Sequence, residues 1–535
     1  MNLENISRME KKASSNSRFD FSRLGAALLF MLMVLMYATT RTEALSAPFA
    51  SMQLVMAALI GAYMAMNIGA NDVANNMGPT VGSKALTMAG AIAIAAIFEM
   101  LGAIVAGGEV VATVKSGIID PAGVGGNDLF ILVMMSALLA GALWLNIATI
   151  CGAPVSTTHS IVGAVMGAGI AAGGIGVAHW DTLFTIAGSW VISPLMGGAL
   201  AALLLYTIKR TITYRQNMIG AATVVVPYMV ALMAWSFGAY MMIKGFGKSF
   251  SLPFSRAAPI ALIIAFIVYL PARSFVVRSA RKKENSKETV NALFGVPLIF
   301  SAALLSFAHG ANDVANAIGP LAGINEALLY SARSESSAIP LWIMLVGAIG
   351  LAVGLALYGP KLIKTVGGEI TDLDKMRAFC IAMSAALTVI LASQLGLPVS
   401  TTHVAIGAVF GVGFLREYLK NSHAKMVDLI IEAYEGEARS RVETQLVKFN
   451  AASLEQKHKM LRAMKLRADK KRAKRTANGD PRLRKKELKV LKKAYKEELV
   501  KRSAVKKIVA AWLVTVPVTA LISAALFFLF KAFFT

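Results

Sequence analysis

Cysteine is nearly absent. Two occur, Cys151 and Cys380, both inside apolar runs. That excludes a disulfide framework and any cysteine-based metal motif, and reads both as small buried apolar residues. Charge is scarce as well: 16% of residues are charged against 56% hydrophobic, and the mean hydropathy is +0.62. A soluble chain of 535 residues needs a larger polar fraction, so the soluble classes are excluded. Short alternating runs of the barrel-strand kind are missing, and only helices or closed barrels satisfy the backbone in lipid. A small-residue cleavage site is missing from the N-terminus. Arg23 to Thr40 is apolar, Arg41 and Glu43 follow it, and the segment reads as an uncleaved anchor helix. Aromatic residues are not interleaved with the basic ones and no nucleic-acid-binding module accompanies them, which excludes nucleic acid as a partner.

What is there is a series of apolar runs of roughly 20 residues, enough for a helix to cross a hydrocarbon core of about 30 Å, with 44 glycines for close helix packing. The runs divide the chain into a cytoplasmic tail (1–22), an anchor helix (23–40), a first transport core (51–208), linking helices with a basic cytoplasmic loop (209–289), a second core (290–416), a basic cytoplasmic helical insertion (417–507) and a C-terminal membrane helix (508–535). The formal charge of +24 sits mostly in the insertion: Lys457 to Lys507 holds 22 Lys and Arg against 5 Asp and Glu. It reads as a solvated face, with anionic lipid at 457–507 as the second reading.

Two motifs occur twice, in the same order. Gly69-Ala-Asn-Asp-Val-Ala-Asn75 returns as Gly310-Ala-Asn-Asp-Val-Ala-Asn316. Pro154-Val-Ser-Thr-Thr-His159 returns as Pro398-Val-Ser-Thr-Thr-His403. The second motif starts 85 residues after Gly69 and 88 after Gly310. Lys209, Arg210 and Arg215, then Arg273, Arg278, Arg281, Lys282, Lys283 and Lys287, then Lys361 and Lys364, mark cytoplasmic loops by the positive-inside rule. Counting segments between them puts the N-terminus inside, the C-terminus outside and the two Asn-Asp segments antiparallel. The expected fold is therefore an all-α polytopic membrane protein of two inverted-topology repeats with discontinuous or re-entrant helices. It has about twelve core segments plus the anchor, and a site near the midplane.

An aspartate in a bilayer is costly, by roughly 2.5–3.5 kcal/mol on insertion scales, so Asp72 and Asp313 read as functional. Their carboxylates, with the amides of Asn71, Asn75, Asn312 and Asn316, offer oxygen ligands for a hard cation such as sodium; the aspartates could also carry protons. Glycine is expected to break the helix there. In the other motif, proline and serine mark a helix start, whose free N–H groups and dipole favour an anion. The hydroxyls of Ser156, Thr157, Thr158, Ser400, Thr401 and Thr402 add neutral donors for a tetrahedral oxyanion, phosphate or sulfate. A carboxylate facing the anion, Asp72 or Asp313, favours phosphate, which can donate a hydrogen bond. His159 and His403 read as packing or orienting residues. Glu99 reads equally as a coupling or gating group or as a group paired within the bundle.

With these residues in hand, the chain resembles the inorganic phosphate transporter (PiT) family over roughly residues 51–416 and the last helix. The resemblance implies secondary active import of inorganic phosphate across a plasma (inner) membrane by symport with sodium, or with protons. It places Asn71, Asp72, Asn75, Asn312, Asp313 and Asn316 at the cations and Ser156 to Thr158 and Ser400 to Thr402 at the phosphate. Glu99 matches a membrane glutamate that matters for transport in relatives, with Ala382 as its expected counterpart in the second repeat. A sulfate permease of the same fold is the alternative substrate reading. A homodimer is expected, and no cofactor beyond the transported ions. An intramembrane hydrolase using Ser156, His159 and Asp72 is disfavoured: its nucleophile would be duplicated, and no Gly-x-Ser-x-Gly elbow surrounds either serine. Paired aspartates also argue against an anion channel.

Overall fold

The computed structural model describes residues 3–43, 45, 48–153, 155–244, 251–329, 339–369, 373–432 and 502–534. It is helical, and the extended pairing among the described residues is the bridge Ile119–Ala178. In chain order the helices are α1 (Leu3–Thr39), α2 (Pro48–Gly82), α3 (Met88–Ala106), α4 (Gly108–Ser116), α5 (Asn127–Cys151), α6 (Thr157–Gly173), α7 (Trp180–Ile208), α8 (Met218–Lys244), α9 (Phe254–Ala280), α10 (Lys287–Leu293), α11 (Gly295–Asp313), α12 (Ala315–Leu329), α13 (Leu341–Glu369), α14 (Lys375–Gln394), α15 (Thr401–Glu432) and α16 (Arg502–Phe534). Among the described residues eleven helical stretches are long and apolar enough to cross a membrane. The protein is a multi-pass membrane protein.

Several expected boundaries move. The polar stretch 1–22 is not a separate tail: α1 starts at Leu3, and its apolar part is Phe21–Thr39. The helices headed by the Ser-Thr-Thr-His motifs are not among the eleven spans. Instead α5 and α6 fold into a hairpin. At its base His179 N donates to Ile118 O at 3.0 Å and Asp120 N to Val177 O at 2.8 Å, so the chain leaves α6 where it entered α5. At the base of the second hairpin, α14–α15, Asp374 just before α14, Arg377 of α14 and Arg416 of α15 surround one cavity. Helix α7 runs from Trp180, beside the first base, for 29 residues, about 43 Å at the helical rise. The turn after it places Lys209 in the cavity at the second base. The hairpins therefore approach each other from opposite ends of α7. Residues 433–501, most of the expected helical insertion with its basic run, lie outside the described residues, as does Pro154.

The expected helix break in the Asn-Asp motif is absent from the first copy, where α2 is continuous through Gly69 to Pro79, and present in the second, where Val314 separates α11 from α12. The glycines serve close packing. A Cβ on Gly69 would stand 2.0 Å from Leu351 O, and one on Gly354 would stand 1.9 Å from Met66 O, at the α2–α13 crossing. At the α3–α11 crossing the distances are 2.0 Å from Gly310 to Glu99 O and 2.0 Å from Gly102 to Phe307 O. Each pair is a backbone-to-backbone contact that only glycine admits. Cys380 is buried as expected. Cys151 is exposed, because it ends α5 at the left-handed Gly152 (φ 70°) that turns the first hairpin.

Candidate functional site

The two hairpin tips and the two Asn-Asp segments meet in one buried cluster. Ser156 caps α6 by accepting from His159 N at 3.1 Å, and Ser400 caps α15 by accepting from His403 N at 3.2 Å. These are the N-caps the Pro-Val-Ser spacing predicts. The caps leave the first N–H groups of each helix outside the helical ladder, at Thr157 and Thr158 on one side and Thr401 and Thr402 on the other. Thr158 donates to Val399 O at 3.0 Å, and Thr402 lies 3.5 Å from Val155 O. The first tip therefore bonds the backbone of the second, and the second lies against the backbone of the first.

The asparagines repeat the same cross-wiring. Asn75 donates to Thr402 Oγ1 at 2.8 Å; Asn316 donates to Thr157 and Thr158, both at 3.3 Å. Asn312 donates to Ser393 Oγ at 3.0 Å and Leu397 O at 3.3 Å. With its amide oriented to satisfy both ends, Asn71 mirrors this. It accepts from Thr149 Oγ1 at 3.1 Å and donates to Val155 O at 3.2 Å and Asp72 Oδ1 at 3.3 Å.

The hydroxyls also reach the carboxylates. Thr401 donates to Asp313 Oδ2 at 2.6 Å and Thr402 to Asp72 Oδ1 at 3.2 Å. The sequence reading set a cation side apart from an anion side; the structure merges them. Asp72, Asp313, Asn312 and Asn316 are at most 1% exposed. Asp72 Oδ2, Asp313 Oδ1, Asn312 Oδ1 and Asn316 Oδ1 are buried with no hydrogen-bond partner among the described residues. Two carboxylate and two amide oxygens of this kind are a ligand set for a hard cation. Beside them stand hydroxyls and helix N-termini, which suit an oxyanion.

Two functional candidates escaped the sequence reading. His309, fully buried, places Nε2 2.9 Å from Asp313 Oδ2 and 3.6 Å from Asp72 Oδ2, and Nδ1 3.2 Å from Glu99 Oε1. Asn76 donates to the same Glu99 Oε1 at 2.8 Å. Both were visible as polar residues adjoining the Asn-Asp motifs. Asp72, His309 and Asp313 could hold a cation, since each has a ligand atom within 4.8 Å of the others'. Glu99 is thus paired within the bundle, one of its two expected readings. The reciprocal glycine contacts correct its counterpart: Gly102 with Glu99 and Gly354 with Leu351 occupy matching places, so the second-repeat position is Leu351 and not Ala382. Motif alignment makes Ile68 the partner position of His309 and Ala317 that of Asn76. One half of the site carries Asn76, Glu99 and His309 where the other carries Ala317, Leu351 and Ile68.

His159 and His403 pack as expected. Their rings lie 4.4 Å apart, and Trp190 of α7 meets His159 edge-on at 3.7 Å while donating to Pro398 O at 3.2 Å.

Comparison with known proteins agrees with the motifs. Residues 68–523 match the phosphate transporter family. A protein of Helicobacter pylori named "Putative phosphate permease" is 53% identical over 535 residues, covering 98% of each chain. One of the same name from Chlamydia trachomatis is 39% identical over 384 residues, 68% of this chain and 90% of its own. A solved structure described as "The sodium-dependent phosphate transporter" superposes with a TM-score of 0.72 at 31% identity, covering 90% of this chain and 99% of its own. The chain belongs to the phosphate transporter family.

Proposed function

We propose that the protein imports inorganic phosphate by symport with a cation, sodium in the first instance, by alternating access. The observation that carries this is the merged site. Thr401 and Thr402 bond directly to Asp313 and Asp72, beside four buried oxygens with no hydrogen-bond partner among the described residues. Asn71, Asp72, Asn75, Asn312, Asp313 and Asn316 hold the cations in this reading. Ser156, Thr157, Thr158, Ser400, Thr401 and Thr402 hold the phosphate, with Asp72 and Asp313 facing it. A cation and an anion side by side offset each other's charge, so each improves the other's site. The name of the structural neighbour supports sodium.

The two halves act as inverted repeats around this site, supported by hairpins that enter from opposite ends of α7. In this reading the N-terminus lies in the cytoplasm and the C-terminus outside a plasma membrane, which the distribution of Lys and Arg supports. The test is uptake of labelled phosphate into proteoliposomes under a sodium or a proton gradient, with excess sulfate as competitor. Sodium-driven uptake that resists sulfate is expected. Proton-driven uptake would move the coupling to Asp72, Asp313 or Glu99, and sulfate uptake would overturn the substrate assignment.

A further inference from the structure

A cavity of about 270 Å³ lies at the base of the second hairpin, away from the merged site. Four cations from four elements line it: Lys209 in the turn after α7, Lys287 on α10, Arg377 on α14 and Arg416 on α15. Among the described residues the one carboxylate in the lining is Asp374, so the formal balance of these five groups is four minus one, or +3. That carboxylate is committed. Its Oδ2 accepts from Arg377 Nε and Nη2, each at 2.8 Å, and its Oδ1 caps α14 by accepting from Arg377 N at 2.8 Å. Lys209 is half-buried and within electrostatic reach of Arg416, Arg377 and Lys287, and of Asp374 with the opposite sign. Asn291, also in the lining, accepts at Oδ1 from Met376 N at 3.1 Å, which leaves its NH2 group as the donor end.

Positive loops at a membrane face usually splay into solvent, where the charges relax apart. Here they converge on a shared concave space from helices that cannot drift apart independently. Converging like charges repel, and the repulsion grows as the surroundings dry. A multivalent anion reverses its sign. Guanidinium forks and ammonium groups together are the donor set for a phosphate group, and the space exceeds what one tetrahedral oxyanion needs.

We propose that this cavity is a second anion site, which binds a phosphate group independently of the merged site. The group comes either from free orthophosphate or from a phospholipid headgroup. An occupant would tie the base of the α14–α15 hairpin to α7 and α10. The proposal goes beyond the transport reading and does not rest on it.

The test starts from full-length protein with the merged site silenced by Asp72→Asn and Asp313→Asn. Binding of labelled orthophosphate to the purified protein is measured by equilibrium dialysis, and co-purifying lipid is read by native mass spectrometry. Expected is one residual phosphate, or one retained phosphatidic acid or phosphatidylglycerol, per chain. It disappears when Lys287→Gln and Arg416→Gln are added, with monodisperse elution unchanged. Lys287→Gln alone, on the exposed face of the short α10, guards against misfolding of the double variant and weakens the same binding about tenfold. Residual phosphate identifies the free anion, and retained lipid identifies the headgroup. If neither binds, or if binding survives both substitutions, the proposal is overturned. Loss of phosphate at the silenced merged site is scored separately, so failure of one assignment leaves the other readable.

Discussion

The two halves of the buried site share a frame and differ in one corner. In the frame, Gly69 and Gly310 each admit a neighbouring backbone carbonyl. Asn71 and Asn312 each bond a hydroxyl seven residues before the capping serine, Thr149 in one half and Ser393 in the other. Asn75 and Asn316 each cross to the opposite hairpin tip. In the differing corner, Glu99, His309 and Asn76 form a polar chain running to the aspartates, where Leu351, Ile68 and Ala317 are apolar. A titratable pair on one side of the shared frame makes the two aspartates inequivalent: His309 Nε2 is 2.9 Å from Asp313 and 3.6 Å from Asp72.

The frame is the more fragile part. Gly69→Ala or Gly310→Ala would drive a Cβ into a carbonyl oxygen 2.0 Å away. Ordinary overpacking already costs about 1–3 kcal/mol, and here backbone meets backbone. Neither variant is expected to yield monodisperse protein on size exclusion, whereas Gly25→Ala, with nothing within 4 Å, behaves as the parent. Unequal outcomes for Gly69 and Gly310 would break the symmetry.

Next come the carboxylates. Asp72→Asn or Asp313→Asn is expected to lower sodium-driven uptake by on the order of 100-fold. Each change removes a charged ligand and weakens charge-assisted hydrogen bonds worth about 1.5–3 kcal/mol. Uptake by the two variants, normalised to inserted protein, checks this.

The differing corner makes a sharper prediction. Glu99→Leu alone or His309→Ile alone leaves a buried polar group without its partner, at about 3–5 kcal/mol. The double variant copies the apolar corner of the other half and should recover most of that loss. A double-mutant cycle on thermal stability decides it, and additive losses would show that the pair is not coupled. The smallest effect is expected for Asn75→Ala and Asn316→Ala, at about 1 kcal/mol each for a lost neutral hydrogen bond. The resulting several-fold rise in the phosphate KM should be similar for both.

The sequence made the frame legible because the frame is written twice. Duplicated Asn-Asp and Ser-Thr-Thr-His segments at matched spacing pointed to the residues that the fold gathers. The polar corner was harder to see because it is written once: His309 and Glu99 are far apart in the chain and lack a second copy to flag them. The counterpart of Glu99 was misplaced because register between α3 and α13 is set by glycine contacts, which only the packed helices reveal. Helix α6 counts as an apolar segment in the sequence because an arm of 17 residues has nearly the length and hydropathy of a crossing helix. What separates the two is the pairing of Ile118 and Asp120 with residues 177–179 at the hairpin base.

The central claim is that cation and phosphate share one site, so each must strengthen the other by the same factor. Equilibrium binding of labelled phosphate to purified protein, with and without sodium, tests it most directly. The account predicts a Kd that falls at least tenfold with sodium, and no such change in Asp72→Asn. A phosphate Kd indifferent to sodium would contradict it.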